Sequence, residues 1–172
     1  MQIIRHAIRR PKKSEEDMTT GKYQQRYREY LSLRGYNPDA SKWSILKRAL
    51  FESWAEPGFH RFWQVWNPGI GYLLFRLYLL LGGKQRRALT TVAVFGVCGF
   101  LHDIAVMLMF RQPFMAFSCA FLCFGLLTVA SRRLEPWLRQ DHWPTLANVT
   151  VNVLLAAVSV HAGVTLHQVV LS

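Results

Sequence analysis

Apolar positions recur at helical spacing in two segments of the first third of the chain. Tyr23, Tyr27, Tyr30 and Leu31 make one, and Trp43, Leu46, Leu50, Phe51 and Trp54 the other, predicting two amphipathic helices. The second follows the Asn37-Pro38 break and a cap at Ser41. Lys42, Lys47 and Arg48 flank its aromatic stripe, which suits a helix lying in the headgroup layer and equally a helix packed on the protein's own cytoplasmic face. Pro57-Gly58 breaks the pattern, and the aromatic run FHRFWQVWNP is closed by Pro68. Positions 69–81 are apolar but short and interrupted by Arg76, predicting a re-entrant or tilted interfacial segment. The runs 88–110, 113–130 and 145–171 are each long enough for a hydrocarbon core of about 30 Å at about 1.5 Å per residue. The expected fold is all-α: a polytopic membrane protein with about three transmembrane helices, one re-entrant segment and amphipathic N-terminal helices. A basic cytoplasmic or interfacial region covers 1–56 and a membrane domain 57–172.

Composition narrows the partners. With 51% hydrophobic residues in 172, a disordered tail is excluded. A net charge of +11 alone points to nucleic acid or an anionic membrane, and the apolar runs select the membrane, so no nucleic acid is expected. Lys84, Arg86 and Arg87 precede the first span, and Arg132, Arg133 and Arg139 follow the second. The positive-inside bias therefore puts the N-terminus and the 131–144 loop in the cytoplasm and Ser172 on the far side. The location is an integral membrane one, the inner membrane if the chain is bacterial. The start MQIIRHAIRRPKK lacks the apolar core of a secretory signal. Cys98, Cys119 and Cys123 lie in apolar stretches and read as small hydrophobes, without a disulfide framework or metal site.

Candidate chemistry centres on His102 and Asp103 within the first span, where a central Asp costs about 2.5 to 3.5 kcal/mol on insertion scales. Either they satisfy other helices or a polar cavity, or they act on a substrate. Gly96 and Gly99, one turn before the His, admit close approach of a backbone or substrate. A neutral imidazole in apolar surroundings is a competent general base. His161 in the third span has a depth similar to His102, and two imidazoles at one level on neighbouring helices suit a bis-ligated haem, or one of them a chlorin. His167, His60, His142 and His6 read as solvated or interfacial. Asn148, Asn152 and Ser159 on the third span predict packing against partner subunits.

The run FHRFWQVWNPGIGYLLFRLYLLLGG, followed after a basic turn by VFGVCGFLHD, resembles the membrane-bound O-acyltransferases over roughly Phe59 to Asp103, their C-terminal catalytic part. The resemblance implies that His102 is the general base and that Asn67 orients the acceptor or donates to the oxyanion. It also places Trp63 and Trp66 at the substrate entrance and Asp103 beside the substrate. An acyl-coenzyme A or other acyl thioester is the implied substrate, with no tightly bound cofactor. Lys84, Arg86 and Arg87 either meet its phosphates or only fix topology. Family members have many more spans, and bacterial ones that acylate polysaccharides usually carry Gly where this chain has Asp103. Acyl transfer together with other integral membrane subunits is one expectation. A non-catalytic structural subunit of a respiratory or photosynthetic type of complex is the alternative, and a haem- or pigment-ligating subunit a third.

Overall fold

Helix is the regular structure throughout the computed structural model, which describes residues 15–171, with side chains from 21 to 170. The expectations for His6 and Ser172 lie outside the described residues. Two units are described separately, one ending at Pro38 and the other beginning at Asp39.

In the first unit, α1 (Glu15–Leu33) ends where Gly35 takes φ 73°. The Tyr36 amide then donates back to the Leu31 carbonyl at 3.0 Å and the Gly35 amide to Ser32 at 3.0 Å, which satisfies the last turn. Tyr36 and Leu31 are both buried, the apolar contact that accompanies such a stop.

The second unit opens with α2 (Lys42–Phe51), capped by the Ser41 hydroxyl accepting from the Ser44 amide at 3.1 Å. A 3-10 turn (Glu52–Ala55), α3 (Phe59–Val65) and α4 (Pro68–Leu80) follow. Then come α5 (Arg87–Phe110), α6 (Ala116–Leu138) and α7 (Thr145–Leu171), with a short 3-10 turn (Gln140–His142) before the last. These three long helices are long and apolar enough to cross a membrane, and they mark an integral membrane protein. Their exposed Leu101, Leu108, Leu126, Leu154 and Val158 suit contact with lipid. With 13 residues, α4 is too short to span.

α6 is the middle of a row. It packs along α5 on one side and α7 on the other, while α5 and α7 share no packed face. Glycines set the spacing: a Cβ on Gly99 would lie 2.6 Å from the Phe117 carbonyl oxygen, and one on Gly163 2.6 Å from the Ala120 Cβ. One end of the row is basic, with Arg86 and Arg87 at the start of α5 and Arg132, Arg133 and Arg139 around the end of α6.

At this basic end α3 lies across the row. Phe59, Phe62 and Phe124 form its core, with Trp54, Trp63, Phe95, Phe121, Leu155 and Ala156 packed around them, so α3 meets all three long helices. The stripe Asn148, Asn152 and Ser159, expected to face partner subunits, is instead buried by the chain itself. Asn152 Nδ2 donates to the carbonyls of Trp54 and Glu56, both at 2.9 Å. Asn148 Nδ2 reaches the Gln140 carbonyl at 3.3 Å, and the Ser159 hydroxyl bonds the Leu155 carbonyl at 2.9 Å. The irregular backbone after α2 has no helix ladder for its carbonyls, and α7 supplies the donors.

Candidate functional site

The register of the row explains two polar groups in the long helices, Asp103 and His167. α6 starts alongside Gly99 and Asp103 of α5, about two turns short of the end of that helix, so its unpaired first amides lie below the rim of the row. No side chain at its own N-cap, Met115, serves them. Asp103, 1% exposed, does so from α5: its two carboxylate oxygens accept from the Phe117 amide at 2.9 Å and the Ser118 amide at 2.7 Å. His167 of α7 completes the cap, its Nδ1 accepting from the Met115 amide at 3.3 Å while its ring lies 4.8 Å from that of Phe114. A carboxylate at the positive end of a helix is stabilised there, which accounts for an acid within an apolar helix.

His102 points elsewhere. One residue before Asp103 and about 100° round the helix, it is exposed on α5. Its Nδ1 lies 2.7 Å from the Cys98 carbonyl, and since a carbonyl only accepts, Nδ1 carries the proton. In a neutral ring the lone pair is then on Nε2. The ring stacks over Phe121 at 5.2 Å and lies 5.5 Å from Phe117.

The other residues singled out in the sequence build α3 and its exit. Trp63 sits among Phe124 at 4.9 Å, Phe95 at 5.1 Å and Phe121 at 6.5 Å, with its indole N–H buried and without an acceptor among the described residues. Trp66 stacks on Phe62 at 5.5 Å beside Trp54. Asn67 is exposed, takes φ 45° and caps α4, its Oδ1 accepting from the Ile70 amide at 3.3 Å. Phe121 thus touches both Trp63 and His102, whereas no hydrogen bond or ring contact among the described residues joins Asn67 to His102.

One polar cluster is absent from the sequence reading. His60, expected to be solvated or interfacial, is buried where α3 meets α6. Its Nδ1 lies 3.3 Å from the Ser131 hydroxyl and its Nε2 3.5 Å from Glu135. Arg61 bridges Glu135 and Asp141, the latter at 2.8 Å. Burial holds the His60 pKa below its ordinary value against the pull of Glu135, and the hydrogen bond to Glu135 raises that of Arg61. Burial also raises the Glu56 carboxyl. The available signal was the pairing of rare acids with FHRFW, and it carries no local periodicity.

A bis-histidine cofactor needs His102 and His161 on neighbouring helices, but α6 separates α5 from α7. His161 is exposed on α7. Among the described residues no cluster of three or more His, Cys, Asp or Glu could hold a metal ion. Comparison with protein-family models, curated proteins and solved structures finds no match.

Proposed function

We propose that this chain is a subunit of an acyl-transferring membrane assembly in which His102 is the general base and partner subunits wall in the reacting groups. The observation that carries the reading is the free Nε2 of an outward-facing imidazole whose tautomer is set by the Cys98 carbonyl. Asp103 and His167 have structural partners, and His102 is the polar group beside Phe117 and Phe121 that caps no helix. In the reaction Nε2 takes the proton of an acceptor hydroxyl as its oxygen attacks a thioester carbonyl. The C–S bond then breaks, the leaving thiolate takes that proton from Nε2, and an ester and a free thiol leave. Asn67, with Oδ1 committed to the α4 cap, offers its amide N–H to the acceptor or the oxyanion. Trp63 and Trp66 support the aromatic wall through Phe121 and Phe62. The basic end faces the cytoplasm, where an acyl-coenzyme A arrives.

The test uses membranes from cells lacking the chain and complemented with the wild type or with His102→Gln. They are supplied with radiolabelled acyl-coenzyme A thioesters, and label in hydroxyl esters is counted. Loss of about 100-fold or more in the variant, at equal abundance of the assembly, supports the base role. Equal labelling overturns it. A second reading, a non-catalytic structural subunit, is favoured by the capping roles of Asp103 and Asn67, and it predicts no label dependent on this chain.

A further inference from the structure

α2 turns its larger apolar side chains outward. Trp43 is 72% exposed, Phe51 69%, Leu46 45% and Leu50 39%, and the buried residue of this helix is Ala49. At about 100° per residue, Trp43, Leu46 and Leu50 share one face, and Lys47 lies between Trp43 and Phe51. Lys42 and Lys47 are exposed on the helix, which carries no carboxylate between Lys42 and Phe51. Arg48 pairs with Glu52 just beyond, at 3.6 Å. An apolar stripe with cations set into it is unfavourable in water and complementary to a layer whose surface is anionic and whose interior is hydrocarbon.

The height of α2 is fixed independently of its composition. Its C-terminus continues into the 3-10 turn whose Trp54 carbonyl, with that of Glu56, is held by Asn152. Asn152 is two turns from the start of α7, about 10 Å along the helix. With 27 residues α7 is about 40 Å long, against a hydrocarbon core of about 30 Å, so a centred α7 passes the core by about 5 Å at each end and Asn152 lies about 5 Å inside its boundary. α2 is therefore moored close to the boundary between hydrocarbon and headgroups, at the basic end of the row.

We infer that the Trp43, Leu46, Leu50 and Phe51 face of α2 docks onto the anionic lipid headgroups of the leaflet at that end, with Lys42 and Lys47 reaching the phosphates. The full chain, with Cys98, Cys119 and Cys123 replaced by Ala and Leu46→Cys carrying a nitroxide, is reconstituted in phosphatidylcholine alone or in an equal mixture with phosphatidylglycerol. Collisions of the label with oxygen and with a water-soluble nickel chelate report its surroundings. In the anionic vesicles the label is expected to be open to oxygen and shielded from nickel. The double variant Lys42→Gln, Lys47→Gln should return it toward water, with partition weakened about fivefold per lysine. A label open to nickel in both vesicles overturns the inference. So does one shielded from oxygen and nickel alike, which means a protein partner or a second copy, or one equally lipid-exposed without phosphatidylglycerol. A second label at Gln112 in the distant α5–α6 loop, unchanged by the lysine substitutions, establishes that the variant is folded.

Discussion

Removing the Asp103 carboxylate leaves the Phe117 and Ser118 amides without acceptors at the start of α6. Asp103→Ala should lower stability by about 1–3 kcal/mol, seen as a lower thermal midpoint in detergent, and Asp103→Asn should recover part of it. His102→Gln, on the outer surface, should change stability by less than about 0.5 kcal/mol. Equal loss for both variants would contradict the division of roles. His60 contributes a pH dependence. Its pKa is lowered in the folded protein, so the stabilisation from neutral His60 is full above the ordinary value of 6.5 and lost as pH falls through and below it. The midpoint should drop between neutral pH and about pH 5, and His60→Gln should flatten that part of the profile. A profile unchanged by the substitution contradicts the assignment. The cost of Asp103 is readable from its place in an apolar run. Its partner is not, because a cap supplied by another helix leaves no mark at fixed spacing.

At the scale of helices, the two tight crossings should be the least forgiving positions. Gly99→Ala and Gly163→Ala each place a methyl against backbone or Cβ atoms of α6 at 2.6 Å, forcing the helices apart at a cost of about 1–3 kcal/mol. Gly96→Ala meets only the end of Leu122, at 3.2 Å, and should be nearly neutral. Unfolding in mixed micelles ranks the variants, and equal behaviour would show that the helices are not in close contact at these glycines. The long helices and the Ser41 cap follow from hydrophobic periodicity and local capping chemistry. The end of α6 does not: the apolar run stops at 130, while the helix continues through Arg132, Arg133 and Glu135 to Leu138. Charge ends a hydrophobic stretch without ending the backbone ladder. α3 escapes notice for the opposite reason, since seven residues packed on several sides show no amphipathic period.

For the whole molecule, three crossings place the α5–α6 and α6–α7 connections on opposite faces. In the cysteine-free chain, Gln112→Cys and Asp141→Cys should react with an impermeant maleimide from opposite sides of sealed vesicles, with Asp141→Cys on the cytoplasmic side. Labelling from one side alone would remove the three-span arrangement. The grip of Asn152 on the Trp54 carbonyl, 98 positions away in the chain, also sets an order of assembly. During synthesis the aromatic segment leaves the ribosome before any of the long helices, yet its anchor arrives with the last of them. Until α7 inserts, the Trp54 and Glu56 carbonyls must be held by water at the membrane surface. The final span is thus a latch that closes over the first-made part of its unit, and nascent chains halted before α7 should leave that segment open to proteases.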